Sequence, residues 1–219
     1  MRTNTVIFDM DGLLIDSEPL WEEAAAEVLA DYNIQLTREQ YHDTRGLRTE
    51  EWLKHWFHHF KINDNCLPDA IDINIKKAVS KIASRGVPMP GVHEIFSFFK
   101  KQGYKIGLAT SSPLLVVDVV ADKLNIRHYL QVMTSAQHLK FGKPHPEVYL
   151  ECAKELRSSP AQCLCFEDSF NGMIAAKAAR MKCVVVPDKL MQEELRWNAA
   201  DMQLSSLLNF GEHELNRIQ

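Results

Sequence analysis

Two hydrophobic periods divide the chain. Residues 5–8, 104–109, 131–134, 163–166 and 183–186 are short, largely apolar runs without strict alternation. Runs of that kind suit strands covered on both faces. Helical spacing occupies about 91–101, 113–124, 146–157 and 170–180, between and after the later runs. Strand and helix in alternation predict an α/β fold: a doubly wound parallel sheet, Rossmann-like, with right-handed crossovers and helices on both faces.

The stretch 17–85 breaks this alternation. Leu20, Ala24 and Val28 recur at helical spacing, and no run there reads as a strand. Thr37 followed by Gln40 has the form of a capping box. Glu50 and Glu51 after Thr49 mark a helix start, because acidic side chains favour the positive N-terminal end of a helix. The cluster Arg85-Gly86-Val87-Pro88-Met89-Pro90-Gly91 is a breaker. The pattern therefore predicts a helical domain at 17–85 inserted into an α/β core of 1–16 and 86–219. Hinges are expected near 14–17 and 86–90. The tail from about 190 is polar and weakly periodic, and predicts no definite element.

Composition narrows the class of protein. Of the 219 residues, 46% are hydrophobic and 25% charged, which supplies enough apolar surface for a folded core. No apolar run approaches the roughly 18 residues of a transmembrane helix, so no membrane partner is expected. The start Met1-Arg2-Thr3-Asn4 lacks the layout of a signal peptide. A net charge of −4 without a basic stripe argues against nucleic acid as a partner. Five cysteines without a disulfide-type spacing read as reduced, mostly buried thiols, and so as a cytoplasmic protein.

Chemistry concentrates at the predicted strand ends. Asp9 and Asp11, in Phe8-Asp9-Met10-Asp11-Gly12, come directly after the first strand. Ligands bind at the carboxyl ends of parallel strands. Two carboxylates so close repel and call for a cation, and an all-oxygen set suits Mg²⁺. Thr110 and Ser111 come after the second strand and precede a helix, where hydroxyls and free N–H groups can cradle phosphate. Lys143 precedes a helix, and Glu167 and Asp168 end the fourth strand. Each feature alone has an ordinary explanation: a turn, a helix cap or a solvated charge. Together they converge on one edge of the sheet.

These motifs resemble those of the haloacid dehalogenase superfamily of phosphohydrolases, in the β-phosphoglucomutase-like branch with a helical cap after the first strand. The strings FDMDGLLIDSEPLW, GLATSSP, GKPHPEVYLECA and EDSFNGMIAAKAARM look like those of bacterial sugar phosphatases acting on 2-deoxyglucose 6-phosphate and hexitol phosphates. The resemblance implies a Mg²⁺-dependent phosphatase for a small phosphate ester. Asp9 is then the nucleophile and a metal ligand. Asp11 is the general acid and base, its backbone carbonyl a further ligand. Asp168 completes the protein's share of the metal shell, and Glu167 ligates the metal or orients a water. Thr110, Ser111 and Lys143 hold the phosphoryl oxygens, with Asp9 and Asp11 also lining the phosphate site.

Specificity is expected from the cap, with Glu18, Trp21, Arg45, Gly46 and Arg48 as the residues facing substrate. The resemblance also suggests a monomer. The alternative function is a β-phosphoglucomutase-type mutase, which places an acid/base histidine on the first cap helix. Trp21 stands at that position here, and an indole cannot exchange a proton with a sugar hydroxyl. A non-catalytic sensor would usually have lost a nucleophile or metal ligand, and none is missing.

Overall fold

The computed structural model describes residues 2–219. Six parallel strands form one sheet: β1 (Thr5–Phe8), β2 (Lys105–Thr110), β3 (Val132–Ser135), β4 (Cys163–Glu167), β5 (Lys182–Val185) and β6 (Met202–Gln203). Their order across the sheet is β3-β2-β1-β4-β5-β6. All five predicted strands are present, shifted by a residue or less at most ends. The short edge strand β6 lies in the tail that predicts no definite element, as does helix α9 (Glu212–Ile218). β6 pairs with β5 through only Val184–Met202 and Val185–Gln203, too short a segment to leave a hydrophobic period.

Side chains alternate across the sheet. Val6, Phe8, Ile106, Leu108, Leu164 and Phe166 pack on one face with α5 (Val92–Lys101), α6 (Leu114–Lys123) and α9. Phe96 and Phe99 of α5 belong to that core, and Phe8 stacks on Phe166 with ring centroids 5.1 Å apart. Ile7, Cys163, Cys165 and Cys183 face the other way, against α7 (Glu147–Glu155) and α8 (Phe170–Ala178). The sheet is therefore buried on both sides, which is why its strands read as continuous apolar runs. All five thiols are free.

Four helices come between β1 and α5: α1 (Glu18–Ala30), α2 (Arg38–Asp43), α3 (Thr49–His59) and α4 (Leu67–Arg85). They form the helical cap over the Rossmann-like core. The Thr37–Gln40 capping box is present, whereas α3 begins at Thr49 without a side-chain cap. Val28, Leu29, Leu53, Trp56, Phe57 and Ala70 form the cap's own small core. Outgoing and returning segments cross side by side: the Asp16 N–H donates to Val87 O at 2.9 Å, and the Met89 N–H to Leu14 O at 2.9 Å. Among the described residues, no helix is long and apolar enough to cross a membrane.

Candidate active site

Parallel pairing brings the four motifs to one edge. Phe8 is in register with both Leu108 and Phe166. The next residue after β1, Asp9, therefore lies beside Ala109 of β2 and Glu167 of β4, and its N–H donates to Phe166 O at 3.0 Å. The chain moves from β1 towards β2 and β3 on one side, then returns to β4 on the other. This reversal makes the β1–β4 crevice the topological switch point of the sheet, where α/β proteins bind ligands.

Lys143, from the segment between β3 and α7, reaches into this crevice and is almost completely buried. Its Nζ donates to Asp9 Oδ1 at 2.5 Å, Glu167 Oε1 at 2.7 Å and Ala109 O at 3.3 Å. Burial alone would lower the lysine pKa, but Asp9 and Glu167 outweigh it and raise it, so Lys143 carries its charge.

Glu167 is saturated by the protein. Its Oε1 accepts from Lys143 and from the Tyr149 hydroxyl, the latter at 2.5 Å. Its Oε2 accepts from the Asp168 N–H, the Ser169 N–H and Ser169 Oγ, each at 3.1 Å. Glu167 thereby holds Lys143, and its carboxylate also lies in one cluster with Asp9 and Asp168. Tyr149 and Ser169 join the site without any sequence signal of their own, because nothing local to them marks an alignment made across the sheet.

Asp168 is different. It is buried, burial raises its pKa well above the carboxylate range, and its Oδ2 accepts no hydrogen bond. Carboxylate oxygens of Asp9, Glu167 and Asp168 lie within 4.8 Å of one another. Lys143 and Arg45 oppose the charge of these acids and Asp11, but acids still outnumber cations. The orphaned Asp168 oxygen and this excess negative charge fit a divalent cation bound by oxygen. Gly12, at φ +73°, passes so close that a Cβ there would overlap Asp168 Oδ2. Glycine is required at that turn for both conformation and space.

Asp11 is surrounded by donors. Oδ1 accepts from Ser17 Oγ at 2.6 Å and Trp21 Nε1 at 2.9 Å; Oδ2 accepts from Ser112 Oγ at 2.7 Å and, more weakly, Thr110 Oγ1 at 3.5 Å. Ser112, a hydroxyl of the segment expected to cradle phosphate, holds Asp11 instead, and Ser17 joins it without a sequence signal of its own.

The cap closes over this floor. Ser111 Oγ donates to Gly46 O at 2.6 Å, and Asn171 Nδ2 to Arg45 O at 2.8 Å. Arg45 pairs with Glu18 at 3.1 Å and lies 3.7 Å from Asp168. Between floor and cap is a cavity of about 100 Å³, open to solvent in part. Asp9, Asp11, Thr110, Ser111, Lys143 and Asp168 line its floor; Glu18, Trp21, Arg45, Gly46, Tyr41, Trp52 and Asn74 are among its cap residues.

Arg48 does not line it. The expectation that Arg48 faces substrate is corrected: its guanidinium donates to Ala136 O at 3.2 Å and Leu139 O at 2.8 Å, and pairs with Glu51 at 2.5 Å. It starts α3 and projects onto the core loop that leads to Lys143, clamping cap to core.

The family model for haloacid dehalogenase-like hydrolases matches residues 6–186. The chain belongs to this family. Hexitol phosphatase B of Escherichia coli strain K12 is 41% identical over 202 residues, covering 92% of this chain and 91% of that protein. A phosphorylated carbohydrates phosphatase of Thermotoga maritima is 34% identical over 176 residues, 80% of each chain. Among solved structures, β-phosphoglucomutase from Clostridium difficile superposes with a TM-score of 0.88 over 99% of this chain and 97% of that one, at 21% identity. That likeness shows the same fold in the two proteins.

Proposed function

We propose that this haloacid dehalogenase-like hydrolase is a Mg²⁺-dependent phosphatase of small sugar or sugar-alcohol phosphates, with 2-deoxyglucose 6-phosphate and hexitol phosphates as its substrates. The observation that carries the reading is the cavity floor: Asp9 held by Lys143 Nζ at 2.5 Å beside the unpartnered Asp168 Oδ2. The hexitol phosphatase relative supports the substrate class. The unit is read as an α/β core of 1–16 and 86–219 and a cap of 17–85, acting as a cytoplasmic monomer.

In this reading an Asp9 carboxylate oxygen attacks phosphorus in line, and the bond from phosphorus to the ester oxygen breaks. Asp11 gives its proton to the departing alkoxide. The resulting aspartyl-phosphate is cleaved by water, whose proton returns to Asp11 as phosphate leaves and Asp9 is restored. Lys143, Thr110 and the Ser111 N–H hold the phosphoryl oxygens, spreading positive and dipolar charge where the transition state needs it. Asp9, Asp168 and the Asp11 backbone carbonyl would hold Mg²⁺. When bound, that ion supplies the positive charge that allows a phosphate dianion to approach these carboxylates.

The Trp21–Asp11 hydrogen bond favours hydrolysis over the mutase alternative. Trp21 occupies the place of an acid/base group yet has only an N–H to donate, and gives it to Asp11.

The test is phosphate release from 2-deoxyglucose 6-phosphate, mannitol 1-phosphate, sorbitol 6-phosphate, β-glucose 1-phosphate and phosphoglycolate, each with Mg²⁺ and with EDTA. Mg²⁺-dependent release concentrated on the hexose and hexitol phosphates, and lost in Asp9→Asn, is expected. Isomerisation of β-glucose 1-phosphate without phosphate release would replace this reading with the mutase.

A further inference from the structure

We infer that Asn74 reads a hydroxyl of the substrate at the cap end of the cavity, away from the phosphate, and thereby selects polyol chains long enough to reach it. This inference rests on the sugar-phosphatase reading above. Asn74 lies on α4, whose buried stripe is Leu67, Ala70, Asn74, Ala78 and Ile82. One amide thus interrupts an otherwise apolar seam. It is only 2% exposed, yet its Oδ1 is enclosed and accepts no hydrogen bond from the protein. An unsatisfied buried amide oxygen is costly, and an apolar side chain of similar size would avoid the penalty.

α4 is tied along its outer edge to α1 by Lys77–Glu27 at 2.5 Å, Lys81–Glu27 at 2.6 Å and Arg85–Glu23 at 2.5 Å. What Asn74 does meet is the cavity, which it lines from the cap side with Trp21, Tyr41 and Trp52. A carboxamide offers an acceptor and a donor together. A sugar or alditol hydroxyl, which donates and accepts at one atom, can pair with the amide where it lines the cavity. The aromatic neighbours suit the C–H faces of such a chain. A phosphate seated on Asp9 and Lys143 then has its carbon chain directed towards the cap, and only a chain that spans the cavity meets Asn74. A site built to bond a hydroxyl discriminates strongly against a substrate that leaves its polar group unpaired.

The experiment compares kcat/KM for mannitol 1-phosphate and for glycerol 3-phosphate, a short polyol ester, in wild type, Asn74→Leu and Asn74→Ala. Thermal unfolding is measured on each protein without substrate. The ratio of mannitol 1-phosphate to glycerol 3-phosphate is expected to fall about tenfold or more in both variants, mainly through KM. Asn74→Leu is expected to melt no lower than wild type, since it removes the orphaned oxygen. Two variants are needed because Leu could obstruct the cavity and Ala leaves it roomier; a loss common to both belongs to the amide. An unchanged ratio in either variant overturns the inference. So does an equal loss on both substrates with a lowered melting temperature in each, which marks a structural role. If wild type hydrolyses neither ester, nor any hexose or hexitol phosphate, the functional reading itself fails and the inference falls with it.

Discussion

The Trp21 indole donates its N–H to Asp11 Oδ1 at 2.9 Å, sharing that oxygen with Ser17 Oγ. A residue of the cap thus positions the carboxylate proposed to exchange protons in the core. Trp21→Phe keeps an aromatic ring and removes the donor. A hydrogen bond to a charged group contributes about 1.5–3 kcal/mol, so kcat on the best hexitol phosphate should fall about tenfold or more, with KM within about twofold. Steady-state kinetics decide this; an unchanged kcat would mean that Ser17 and Ser112 suffice to set Asp11.

Arg48 binds the cap to the core through the carbonyls of Ala136 and Leu139. Its partner Glu51 accepts from the N–H of Gly142, next to Lys143, at 3.2 Å. Arg48→Ala should weaken closure for every substrate alike: a KM increase of about 3- to 10-fold on mannitol 1-phosphate and on a small aryl phosphate. A selective loss on the sugar ester would restore the sequence-based view that Arg48 faces substrate.

Asp168 is a buried acid with an unpartnered oxygen. Mg²⁺ at about 100 times its Kd should stabilise the wild type by about 2.7 kcal/mol, raising Tm by roughly 5–10 °C. In EDTA, Asp168→Asn should melt at or above wild type, because it removes a buried charge that only the 3.7 Å Arg45 contact offsets in a cluster of like-charged acids. Its Tm should not respond to Mg²⁺, and its turnover should be lost. Calorimetry with and without the ion reads all of this except turnover; an equal Mg²⁺ response in the variant would remove Asp168 from the metal shell.

A Cβ on Gly172 would overlap the Glu167 carboxylate. Glu167 is held from five directions and cannot retreat without releasing Lys143. Gly172→Ala should therefore cost about 2–4 kcal/mol of stability, a Tm loss of roughly 5–15 °C, and lower kcat as well. Wild-type Tm and kcat together would show that the carboxylate has room to move.

Local order along the chain was enough to determine where the chemistry gathers. Each parallel strand delivers the residue after it to the same sheet edge, so Asp9, Thr110 and Glu167-Asp168 could be placed together by knowing only where strands end. The long helical insert was legible for the same reason, since a period of 3.6 needs no partner to be recognised. The tertiary structure decided which atoms meet. It set Glu167 against Lys143, and turned Arg48 onto the core. It set Trp21 against Asp11 and left Asn74 facing the cavity without a partner. It also added β6, whose two paired residues are strand only because β5 lies beside them. Hydrogen bonds and burial act between groups far apart in the chain, and their directions are fixed only when the sheet, its covering helices and the cap have packed.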